Sequence, residues 1–90
     1  MSSISAKLAQ PLRRGEVEDL RGLTIDEAEP LLERALDDAI LADLPSLRII
    51  HGKGTGVLRD FVQAALKHDT RVKRFGVMPT NHGVTVAEFK

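Results

Sequence analysis

The clearest pattern in the chain is a helical one. Ala28, Leu31, Leu32, Ala35, Leu36, Ala39 and Ile40 recur at the spacing of one helical face, and Asp26, Glu29, Glu33, Asp37 and Asp38 fill the other side. Thr24 precedes the run as an N-cap, and Glu27, three residues later, predicts a capping box. Pro30 lies beyond the first turn, where it is expected to remove one backbone hydrogen bond and leave room for a kink. A second stripe, Leu58, Phe61, Val62, Ala65 and Leu66, predicts another amphipathic helix ending near His68 and Asp69.

Between and around these helices the period changes. Val17 to Leu20 reads as a short strand, and Leu47 to Ile50 as a buried, β-branched one. Val72 to Met78 predicts a third strand, Pro79 to Gly83 a turn, and Val84 to Phe89 a fourth strand. Residues 1–16 mix small, polar and basic side chains and read as a flexible arm or linker remnant before a domain spanning residues 17–90. The order is β-α-β-α-β-β. Right-handed crossovers make the strands flanking each helix parallel, and the last two strands form an antiparallel hairpin. The expected fold is therefore a two-layer α/β sandwich with a four-stranded mixed sheet. An exposed fourth strand could pair edge to edge, but nothing in the sequence demands it.

Composition narrows the class. A 90-residue chain without cysteine forms one modest core and has neither disulfides nor thiolate metal sites, which fits a reducing cytoplasm. No apolar run reaches the ~18 residues of a membrane span. Net charge is zero but unevenly placed. Residues 16–43 carry ten Asp/Glu against two Lys/Arg, whereas residues 44–90 carry eight Lys/Arg against three Asp/Glu. Arg48, Lys53, Arg59, Lys67, Arg71, Lys73 and Arg74 could contact phosphates or simply be solvated. Only Phe61, Phe75 and Phe89 are aromatic, too few for base-stacking platforms.

The stretch with most chemistry is IIHGKGTG, from Ile49 to Gly56. It joins a strand to a helix N-terminus, where backbone N–H groups and the helix dipole favour an anion. It is not a Walker A loop, because Leu47 stands where that motif needs glycine, and it is not a dinucleotide fingerprint, because Val57 does. A plain strand-to-helix turn stays open beside a phosphate cradle of Gly52, Lys53, Gly54, Thr55, Gly56 and Arg59. His51 closes the apolar strand. It reads either as a satisfied core residue or as a group that moves protons near pH 7. If the first two strands are neighbours, Asp19 and Arg21 share its sheet edge. Arg21 and Lys53 would then stabilise phosphate charge, and Asp19 would orient His51 or help to hold a divalent cation.

Three segments together carry a family resemblance: DLRG at Asp19–Gly22, IIHGKGTGVLR at Ile49–Arg59 and GVTVAEF at Gly83–Phe89. Over residues 17–90 the chain resembles the Smr (small MutS-related) domain, with both its L-D-x-[HR]-G and H-G-x-G motifs. Arg21 resembles the version found at the C-terminus of second-type bacterial MutS proteins. The resemblance implies a fold like the C-terminal domain of translation initiation factor three. It also implies nucleic-acid binding and an endonuclease activity that nicks DNA or cleaves RNA. Asp19, Arg21 and His51 match the family's proposed catalytic positions, and Gly52 and Gly54 its loop glycines. Implied partners are DNA or RNA, the ribosome, and MutS-like ATPase domains in a longer parent chain; no membrane is implied. A divalent cation, Mg²⁺ or Mn²⁺, is the one cofactor considered. Glu18 departs from the family's usual leucine, and His82 from an often glycine-rich turn. The competing readings are a non-catalytic nucleic-acid or ribosome-binding module and, behind it, a small-molecule enzyme using the loop as an anion hole.

Overall fold

The computed structural model describes residues 16–90; the arm expected over residues 1–16 lies, apart from Glu16, outside them. The elements are β1 (Val17–Asp19), α1 (Ile25–Leu41), β2 (Ser46–Ile50), α2 (Val57–His68), β3 (Val72–Met78) and β4 (Asn81–Phe89). Their order is the one the sequence pattern predicts.

Local chemistry sets the helices. The Thr24 hydroxyl accepts from the Glu27 N–H at 3.2 Å, and the Glu27 carboxylate accepts from the Thr24 N–H at 2.9 Å, so the capping box forms. α1 runs on through Pro30, which is exposed. Its buried face is Ala28, Leu32, Ala35, Leu36 and Ala39. Leu31, expected on that face, is instead 39% exposed. It flanks an arc already filled by residues four and seven apart from Ala28. α2 packs through Val62 and Leu66, with Leu58, Phe61 and Ala65 partly buried around them.

The sheet order is β1-β2-β4-β3. β1 and β2 are parallel neighbours, Val17 opposite Arg48 and Asp19 opposite Ile50. β4 lies antiparallel between β2 and β3, pairing Ile49 with Thr85 and Phe75 with Ala87. β2 and β3 are thus parallel without touching, as their crossover requires. β4 inserts into the middle of the sheet, so the fourth strand offers no edge for pairing and the edges fall to β1 and β3. The turn also differs from expectation. Only Pro79 and Thr80 turn, and Asn81 already pairs with Met78 across a register shift. Leu47, Ile49, Ala87 and Phe89 face the helices and join their buried residues in one core.

Candidate nucleic-acid interface

β1 and β2 end side by side, and this brings the two motif ends together. The Leu20 N–H bonds to the Ile50 carbonyl at 2.8 Å, so the chain turns out at Arg21 beside His51. Arg21, Gly22, Leu23, His51, Gly52, Gly54, Thr55, Gly56, Val57, Leu58 and Arg59 line one open cleft of about 420 Å³.

Arg21 is held from behind. Its Nε donates to one Asp19 oxygen at 3.0 Å and its Nη2 to the other at 2.7 Å, while its backbone N–H adds a bond of 3.0 Å. These bonds, the side-chain ones first, keep the Asp19 carboxyl below the usual carboxylate range and raise the Arg21 guanidinium. Both side chains stay largely exposed, so the pair orients Arg21 more than it stabilises the fold. Asp19 therefore does not orient His51; its oxygens are committed to Arg21.

His51 is 5% exposed. Its Nδ1 lies 2.9 Å from the Gly52 carbonyl, which can only accept, so Nδ1 carries the hydrogen. Its Nε2 lies 2.8 Å from the Thr85 hydroxyl, itself fully buried. The loop is latched from the same strand. The Gly83 carbonyl accepts from the N–H groups of both His51 and Gly52 at 2.9 Å. A Cβ on Gly83 would stand 3.3 Å from the Gly52 backbone, so only glycine fits this approach comfortably. Thr85 and Gly83 were missed by sequence reasoning. The one available signal was a hydroxyl at a core-facing position of β4, which must find a partner.

The loop then opens onto α2. Gly56 caps the helix at φ 88 with no side-chain hydrogen bond, and the Thr55 hydroxyl accepts from the Val57 N–H only at 3.4 Å. The first-turn N–H groups therefore face the cleft without a strong internal acceptor. Arg59 projects beside Gly56 and pairs with the exposed Asp60 at 3.2 Å. Lys53 is exposed on the loop and does not line the cleft wall. The other cations expected to contact phosphate lie elsewhere. Arg71 is tied to Asp69 and Asp37, and Arg74 to Glu88 on the far face of the sheet.

The Smr domain family model matches residues 18–90. The chain belongs to the Smr domain family. Among relatives, the Endonuclease MutS2 of Symbiobacterium thermophilum is 53% identical over 75 residues, which is 80% of this chain and 10% of that protein. The Endonuclease MutS2 of Thermus thermophilus is 44% identical over 86 residues, 92% of this chain and 12% of that protein. This Smr chain thus spans about a tenth of such relatives. The crystal structure of the Smr domain of Thermus thermophilus MutS2 superposes with a TM-score of 0.80 at 44% identity, covering 83% of this chain and 98% of that one. The stand-alone small MutS-related protein YdaL of Escherichia coli shares the fold, with a TM-score of 0.81 at 16% identity over 97% of this chain and 74% of that one. The sequence-based expectation of an Smr fold is met.

Proposed function

We propose that this Smr domain is a nucleic-acid endonuclease that seats the phosphodiester backbone of DNA or RNA in the glycine-loop cleft. One observation carries the reading: Arg21, aimed by the grip of Asp19, shares a cleft with the glycine backbone and with the uncapped N-terminus of α2. A tetrahedral anion there meets a guanidinium fork on one side and backbone N–H groups on the other. The names of the MutS2 relatives support cleavage as the outcome. Arg21, Lys53 and Arg59 would stabilise charge on the phosphate, and His51 beneath the loop would carry the proton. On RNA the neighbouring 2′-OH serves as nucleophile; on DNA a water does.

A divalent cation does not fit the residues present. No carboxylate lines the cleft, both Asp19 oxygens are engaged by Arg21, and among the described residues no three His, Asp or Glu side chains converge. The proposed setting is a longer, MutS2-like cytoplasmic parent chain with ATPase domains, acting on recombination intermediates or on collided ribosomes.

The second reading, a binding module without chemistry, is favoured by the burial of His51 and the engagement of both its nitrogens. Supercoiled DNA and structured RNA, offered to the parent and to His51→Ala with Mg²⁺, with Mn²⁺ and with chelator, separate the two. The endonuclease reading expects the parent to cut and the variant, folded by circular dichroism, to lose at least a hundredfold in rate. Equal cutting by both would remove His51 from the chemistry. Salt-sensitive binding without cutting would establish the binding module.

A further inference from the structure

We propose that Asp19 is a positioning residue for nucleic-acid binding: it occupies one edge of the Arg21 guanidinium and leaves the end of that group as the only fork a phosphate can meet. This rests on the phosphate-site reading above and gives Asp19 its part in it. By charge alone Asp19 should oppose binding, because a carboxylate beside a phosphate repels it. Its bonds to Arg21 reverse that sign.

The grip is built from the sheet outward. Asp19 closes β1 opposite Ile50, so the sheet sets its backbone. Its Oδ1 accepts from the Arg21 backbone N–H at 3.0 Å, which fixes the rotation of the carboxylate. Oδ1 also accepts from Arg21 Nε at 3.0 Å, and Oδ2 accepts from Nη2 at 2.7 Å. A guanidinium carries five N–H donors in one plane. Asp19 takes the Nε–H and one of the Nη2 hydrogens. The remaining Nη2–H and one Nη1–H run parallel at the end of the group, a match for two oxygens of one phosphate. The stem is guided as well. A Cβ on Gly52 would stand 3.4 Å from Arg21 Cγ and 3.8 Å from Cδ, so the methylenes cross close over the loop.

Such a grip acts on binding more than on folding. The Arg21 side chain is 63% exposed, and an exposed ion pair adds little to stability. An unheld arginine must instead be ordered by its ligand, which weakens binding by roughly two- to tenfold. Asp19 removes that cost before nucleic acid arrives. It is poorly suited to accept a proton itself, because its side-chain hydrogen bond to Arg21 holds the carboxyl below the usual carboxylate range.

The test is a double-mutant cycle on the 90-residue protein, read by fluorescence anisotropy of a short oligonucleotide, with thermal unfolding run alongside. Asp19→Ala is expected to weaken binding roughly two- to tenfold in the parent. In an Arg21→Ala background the same substitution should tighten binding, because only the repelling charge is left to lose. That reversal of sign supports the proposal. Tighter or unchanged binding in the parent overturns it, and so does an equal loss in both backgrounds, since Asp19 would then act through the fold. Asp19→Asn keeps an acceptor for the Arg21 backbone N–H but sets an amide N–H against Nη2. It should behave as Asp19→Ala does, and parental affinity in this variant would show that the grip is not needed. Nitrogen relaxation of Arg21 Nε in the free protein supplies a readout without nucleic acid. Larger motion in Asp19→Ala supports the proposal, and unchanged motion overturns it. If Arg21→Ala binds as tightly as the parent, or if nothing binds, the phosphate-site reading fails, while the Nε relaxation still decides whether Asp19 holds Arg21.

Discussion

The loop's geometry depends on a glycine outside it. Gly83 latches the backbone of His51 and Gly52 through one carbonyl, and a Cβ there would stand only 3.3 Å from the Gly52 backbone, a tight contact. Gly83→Ala should push the two segments apart by a few tenths of an ångström. It is expected to destabilise the domain by about 1–3 kcal/mol and to weaken oligonucleotide binding. Gly54→Ala, where a new Cβ meets nothing within 4 Å, should change stability by less than about 0.5 kcal/mol. Thermal unfolding of the two variants checks the contrast, and equal melting temperatures would refute it. This residue also marks where the sequence stops being readable. His51, Arg21 and the loop glycines announce themselves through spacing and residue type. Gly83 and Thr85 do not, because their roles depend on β4 lying beside β2 in a register that puts Thr85 opposite Ile49. Thr85 is 34 residues from His51, and no local pattern specifies that pairing. The shared sheet edge suggests Asp19 as an orienting partner for His51 or a ligand for a divalent cation, but the neighbouring Arg21 guanidinium engages both of its oxygens.

At the level of elements, Arg71 is the clearest cross-tie. It lies between α2 and β3, donates to Asp69 at 2.8 Å, and reaches Asp37 on α1 at 2.7 Å. Arg71 holds the Asp69 carboxyl below its ordinary range, chiefly through their side-chain hydrogen bond. The sign follows. A carboxyl with a depressed folded pKa binds fewer protons folded than unfolded, so its contribution is present above the ordinary value near 4. It is lost as pH falls through the folded value. Arg71→Ala should therefore lower stability by about 1–2 kcal/mol at pH 7, with the difference from the parent shrinking towards pH 2. Urea unfolding at the two pH values measures it, and a constant difference would count against the linkage. The elements themselves were legible because each is written in local terms. The Thr24–Glu27 box, the Ala28–Ala39 stripe and the β-branched runs all lie within a few residues of what they specify. Strand order is not local. β4 inserts between β2 and β3 with Ala87 and Phe89 buried beneath the helices, a placement that no local pattern specifies.

For the whole molecule, zero net charge conceals a division of labour. α1 carries acid on its wet face, and most cations of the second half are spent on internal pairs or lie away from the cleft. Three cations remain for a phosphate backbone at the loop: Arg21, Lys53 and Arg59. Binding should therefore be weak and only moderately sensitive to salt. Neutralising three phosphates gives a slope of log K against log salt of about −2.7 on duplex DNA and about −2 on single strands. Arg21→Ala should make the slope shallower by about one unit and weaken binding to every sequence alike, since phosphate contacts carry no base information. Arg74→Ala, whose side chain is paired with Glu88 across the sheet, should leave the slope unchanged. Fluorescence anisotropy over a salt series distinguishes these outcomes. A steep slope, or an equal loss in both variants, would mean that nucleic acid spreads over the open face of the sheet and not into the cleft. A slope near the expected value, lost with Arg21 alone, would localise the contact to the place where the ends of β1 and β2 meet. There, any sequence specificity would have to come from outside this surface, which offers charge and shape but few side chains able to read a base.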